Sequence, residues 1–157
     1  MLKRLLRIKV LREQGAALEV RRQRHRWELA VAEQTRREQA LADFRAWRPG
    51  HEERLFARLA DQLVAMMILE AYREDLAELI TREAALQQAL LAAEKACLEV
   101  RAALAKAEQA HRTAIREVEK FTELDREAQI LVVREQERAE DQELEEFATP
   151  VKRRRAA

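Results

Sequence analysis

From Leu86 onward the apolar positions step alternately by four and three residues, through Leu86, Leu90, Ala93, Cys97, Val100, Leu104, Ala107, His111, Ala114, Val118 and Phe121. This spacing keeps one stripe on a single helix face, and over so many turns it specifies a left-handed coiled coil. The phase extends back through Leu69, Tyr72, Leu76 and Leu79, with Glu83 as a charged intruder. Alanines along the stripe let a partner helix approach closely. Nearer the N-terminus a weaker seam runs through Leu11, Leu18, His25, Leu29 and Ala32; it is interrupted by Arg22 and Arg36, whose aliphatic stems can still pack.

Between Leu2 and Trp47 only Gly15 disfavours a helix, at a cost of about 1 kcal/mol relative to Ala. Arg48-Pro49-Gly50-His51 is the strong punctuation: Pro disfavours the helical region for the residue before it, and Gly permits a reversal. Glu52 and Glu53 then suit the positive end of a new helix dipole. The pattern therefore predicts a first long helix over 1–47, and a turn or connector over 48–63 that runs into the start of the second helix. A long second helix follows over 64–147. Pro150 stops it, leaving a basic flexible tail over 148–157 that carries Lys152-Arg153-Arg154-Arg155. The expected fold class is all-α, a long antiparallel two-helix coiled-coil hairpin. Its register has two solutions. A tight turn at Pro49 brings Met1 level with Glu99, whereas a connector reaching about Leu63 brings Lys3, Arg4, Arg7, Lys9 and Arg12 toward the acidic stretch from Glu117 to Glu146.

Composition agrees with long helices. Of 157 residues, 38% are charged and 4% aromatic, with only two Gly and two Pro, which leaves too little bulky core for a compact globule. The net charge of +1 gives no general reason to bind nucleic acid or anionic lipid. Cys97 is the single cysteine, which excludes an intramolecular disulfide and a cysteine-based zinc site. Met1 to Val10 mixes cations among its apolar residues and makes a poor secretory signal, so the chain is expected to be soluble and to begin in the cytosol. The apolar stretch from Leu63 to Leu69 falls well short of the roughly 20 residues that span a bilayer.

No phosphate-binding loop, nucleophile elbow or metalloprotease pattern occurs, and His25, His51 and His111 are far apart. Neither catalysis, a cofactor nor a metal is expected. His111 and Cys97 read as seam residues, and carboxylate pairs such as Glu52-Glu53 and Glu145-Glu146 as solvated surface. Arg21, Arg22, Arg24 and Arg26 add to the basic N-terminus, yet no stacking aromatics accompany them and nucleic acid is not the expected partner. Phe44 and Trp47 before the punctuation, with Leu55, Phe56, Leu59 and Leu63 after it, either plug the hairpin tip or form an exposed apolar partner site. Trp27 and Met66-Met67 read as packing residues.

Several stretches resemble a known family: Leu5-Leu6-Arg7-Ile8-Lys9-Val10-Leu11-Arg12-Glu13, then Trp47-Arg48 followed by Glu52-Glu53-Arg54-Leu55-Phe56, then Glu119-Lys120-Phe121, and finally Glu140-Asp141-Gln142-Glu143-Leu144-Glu145-Glu146-Phe147. In order and spacing they are similar to the YscO type III secretion proteins, relatives of the flagellar FliJ. The resemblance implies a coiled-coil stalk similar to the gamma-subunit stalk of rotary ATPases, with no active site of its own. Such a stalk is set in a hexameric secretion ATPase at the cytoplasmic face of the apparatus. It reaches the inner-membrane export gate without inserting in the membrane, and it also binds secretion chaperones. Carried over by position, Arg4, Arg7, Lys9, Arg12, Glu137, Asp141 and Glu145 at the chain ends would face the ATPase, and Phe44, Trp47, Arg48, Phe56, Leu59 and Leu63 at the turn would face the gate. The alternative reading is a homodimeric coiled-coil scaffold unrelated to secretion.

Overall fold

In the computed structural model the chain forms two α-helices, α1 (Leu2–Ala60) and α2 (Met66–Ala156). The structure describes residues 1–60 and 65–156, with side-chain surroundings given for 1–60 and 65–149. Leu63 therefore lies outside the described residues. The fold is all-α, an antiparallel two-helix coiled coil. No strand occurs among the described residues.

The expected turn at Arg48-Pro49-Gly50 does not form. α1 continues through Pro49 to Ala60, and Gly50 keeps a negative φ. Pro49 lacks the N–H that would bond to the carbonyl four residues earlier, a loss that costs about 3 kcal/mol inside a helix. Contacts on both sides of it hold the helix together. Leu41 and Phe44 are buried, Arg45 and Arg48 both reach Glu83 on α2 at 3.0 and 2.7 Å, and Arg48 also donates to Glu52 at 2.6 Å one turn on. α2 starts at the carbonyl of Ala65, which accepts from the N–H groups of Ile68 and Leu69 at 3.0 and 3.2 Å. The expected stop at Pro150 is also absent, since the backbone of α2 is helical to Ala156. A single proline removes one bond from a ladder that the neighbouring residues otherwise complete.

The described residues fall into two packing units. One unit joins Met1–Leu18 to Glu108–Ala157; the other is Glu19–Ala107. In the first, Lys9 pairs with Glu117 at 3.1 Å and Glu13 with His111 at 2.8 Å, so residues advance on α1 as they fall back on α2. In the second, Val20, Leu104 and Ala107 form a buried cluster with Trp27 against it, and Arg45 meets Glu83. Both units follow the register of the late connector.

The seam of α2 is as the spacing predicts. Each position from Leu69 to Phe121 in that series is buried or half-buried, Glu83 and His111 included, and Asp125 and Ala128 continue it. The seam of α1 is not. Leu11, Leu18 and Leu29 are 66%, 61% and 57% exposed, and His25 and Ala32 are exposed as well. The residues that face α2 are instead Leu6, Val10, Glu13, Val20, Gln23, Trp27, Gln34, Leu41, Phe44 and Arg48. α1 carries apolar residues on two faces, and periodicity within one helix cannot choose between them. The choice belongs to α2: Trp27 packs against Val20, Leu104 and Ala107, and the small side chain at Ala107 leaves room for the indole.

Candidate partner-binding surfaces

Two exposed regions stand out, one in each unit. In the first unit the opening turns of α1 lie along α2 and leave two adjoining grooves that share Lys3 and Asp125. One, of about 550 Å³, is lined by Leu6, Val10 and Leu11 with Lys3, Arg7 and Gln14 at its rim. The other is lined by Met1, Leu2, Ala128, Val132 and Val133. Helical spacing places Lys3, Arg7, Val10 and Gln14 on one face. Lys9 is half-buried, held by Glu117 and lying 5.1 Å from the centre of the Phe121 ring, an arrangement that favours the cation over the ring face. Arg4, Arg7 and Arg12 are exposed and have no ion-pair partner among the described residues.

Since Met1 and Leu2 lie beside Val132 and Val133, α2 runs on well past the start of α1. Every residue from Gln129 to Thr149 is exposed. Glu137, Asp141 and Glu145 sit on this unaccompanied stretch, so the structure does not bring them against Arg4, Arg7, Lys9 and Arg12. The acidic residues of α2 beside this basic segment are Glu117, which pairs with Lys9, and Asp125, which lines the groove with Lys3 and Arg7. The apolar run Ile130-Leu131-Val132-Val133 was the sequence signal for the groove beside Met1.

In the second unit Phe44, Trp47 and Arg48 belong to the continuous body of α1. Phe44 is buried, its ring centre 5.7 Å from that of Trp47, and Trp47 stacks on His51 at 4.3 Å. The Arg82 guanidinium lies over both rings at 5.1 and 5.6 Å. Hydrogen bonding to Glu52, with Glu83 beside it, raises the Arg48 pKa above its ordinary value and fixes its side chain across the seam. Of the residues expected at the hairpin tip, Phe56 is 60% exposed, and Leu59 is half-buried with Leu55 in a hollow shared with Ile68, Ala71 and Tyr72. Met66 and Met67, expected to pack, are both exposed. The tip cluster thus separates into a packed aromatic group at Phe44 and Trp47 and an open aromatic at Phe56.

Among the described residues no group of His, Cys, Asp and Glu could hold a metal ion, and no helix is long and apolar enough to cross a membrane. Among the described residues the Glu33 carboxyl is held well below its ordinary value, at about 2, by hydrogen bonds from Arg36 and then Arg37, contacts made within one helix.

The family described as type III secretion protein YscO matches residues 2–150. A crystal structure of type III secretion protein YscO from Vibrio parahaemolyticus is 35% identical, with a TM-score of 0.87 over 94% of this chain and 92% of that one. Among curated proteins none matches.

Proposed function

The chain belongs to the YscO family of type III secretion proteins, and on that premise we propose that it is a non-enzymatic stalk that couples the secretion ATPase to the export gate. The first unit supplies the ATPase contact. Its exposed Arg4, Arg7 and Arg12, together with Glu137, Asp141 and Glu145 on the lone stretch of α2, present charges of both signs without a deep interlock. Such a surface is steered quickly to its partner and held weakly by each charge, as a contact that must be remade at successive subunits of a hexamer requires. The exposed aromatic Phe56, with the Trp47 edge, supplies the gate contact, because aromatic anchors dominate interface energies. Secretion chaperones are the third partner class, and the site of work is the cytoplasmic face of the inner membrane, reached through partners.

The observation that carries this reading is the family match over residues 2–150 on a chain whose α2 continues, exposed and acidic, beyond its pairing with a basic α1. A homodimeric scaffold unrelated to secretion loses its support, because the family is one of type III secretion proteins. The test is steady-state ATP hydrolysis by the cognate ATPase with and without this protein. Stimulation that fades with salt is expected. Unchanged hydrolysis, with no complex detected, overturns the ATPase contact.

A further inference from the structure

The lone stretch of α2 and the groove beside α1 have complementary chemistry, yet they cannot meet within one chain. α2 is an unbroken helix to Ala156, so the segment after Val133 leads away from its own α1 instead of folding back over it. On that segment Val133, Leu144 and Phe147 fall on one helix face, with Glu137 and Glu140 between them and Asp141 and Glu143 at its edges. Leu144 and Phe147 are among the most exposed apolar residues of the chain, at 68% and 82%. Beyond Val133, which still lies beside Met1, the face is that of an acidic amphipathic helix with no partner among the described residues. From Val133 to Phe147 it is roughly 21 Å long at 1.5 Å per residue.

The receiving surface is basic and of similar length. The groove of Leu6, Val10 and Leu11 runs from Lys3 to Gln14, roughly 17 Å, with Lys3 and Arg7 on its rim and Arg4 and Arg12 exposed nearby. Asp125 is the one carboxylate lining it; it is half-buried and outnumbered by those cations.

The geometry points to a second copy of this chain as the occupant: residues 133–147 of one copy lie in the groove beside α1 of the other, and the exchange is reciprocal. Both halves of the contact lie in the first unit, so a two-fold axis near the start of α1 closes the pair and leaves neither groove empty. Charge complementarity sets the pairing, and the few apolar anchors keep it reversible. The contact does not depend on the ATPase reading, and its failure leaves that reading standing.

Sedimentation equilibrium of the full chain over a wide concentration range tests this, with helicity by circular dichroism as the check on folding. A monomer–dimer equilibrium is expected, weakened about tenfold between low and high salt. Lys3→Glu with Arg7→Glu should weaken it by about tenfold or more, as should Glu137→Lys with Asp141→Lys. All four substitutions in one chain should restore the dimer, and Phe147→Ala should weaken it at every salt concentration. A monomer at all concentrations, a dimer indifferent to both charge reversals, failure of the fourfold variant to recover, or open-ended growth beyond the dimer would each overturn the reciprocal pairing.

Discussion

Leu104 is 1% exposed and Leu98, six residues earlier and on a different face of the same helix, is 72% exposed. Burial is therefore a property of phase and not of residue type, and the difference can be measured. Leu104→Ala should cost about 2–3 kcal/mol, toward the low end for a buried leucine because a two-helix seam can close over the gap. Leu98→Ala should change stability by less than about 0.5 kcal/mol. Thermal melts followed by circular dichroism separate the two. At Glu33 the prediction concerns protons. Its folded-state pKa, about 2, lies below the ordinary 4.5, so whatever the Arg36 and Arg37 contacts contribute is complete above pH 4.5 and disappears as the pH falls toward 2. The carboxyl carbon observed by NMR should titrate near 2, and Arg36→Ala with Arg37→Ala should return it toward the usual range. The pairs are local to one helix and exposed, so the titration should be seen at the residue with little change in unfolding. Gln23 is a further residue-level feature: buried at the seam, it donates to Glu19 at 2.8 Å while its own Oε1 lacks a partner among the described residues. A polar seam residue of this kind favours one register over its neighbours.

At the scale of the element, α1 is longer than its sequence punctuation implies, and α2 is as its spacing implies. Pro49 inside α1 yields a direct test. Pro49→Ala restores one helical hydrogen bond and returns some freedom to the unfolded chain, so a net gain of about 1–2 kcal/mol is expected. A residue at a hairpin turn would show no such gain. Gly15 complements it: a Cβ there meets nothing within 4 Å, and Gly15→Ala should stabilise α1 by about 0.5–1 kcal/mol. Unchanged or lowered melting temperatures in both variants would contradict a continuous α1. Glu83 explains why no turn forms at Pro49. In the sequence it interrupts an apolar stripe; in the structure it receives Arg45 and Arg48 from either side of one helical turn just before Pro49 and so anchors the segment expected to bend.

For the whole molecule, the consequence of the later reversal is that Phe44 and Trp47 do not share an end with Phe56. The packed pair Phe44 and Trp47 and the open ring of Phe56 can therefore be tested separately. Phe56→Ala should weaken binding to the export gate and leave ATPase stimulation unchanged, as measured by pull-down and by hydrolysis on the same preparation. Trp47→Ala should weaken gate binding less, because its ring is partly engaged by His51 and Arg82. Loss of both activities together in Phe56→Ala would contradict a two-ended stalk.

The fold class and the α2 seam were legible because each rests on local chemistry. Heptad spacing from Leu69 to Phe121 fixes one face of a helix wherever that helix is placed, and the short stretches shared with the YscO family survive as sequence. Three matters were decided by tertiary structure. The face of α1 that packs was chosen by α2, since α1 has apolar residues on two faces and only the partner seam distinguishes Trp27 from Leu29. Helix continuity at Pro49 depends on Glu83, a residue more than thirty positions away that no local propensity can anticipate. The register followed from those two together. It leaves Glu137, Asp141 and Glu145 on a stretch of α2 beyond the first turns of α1, because a helix pair slides as a body and moves every residue of one helix past the other at once.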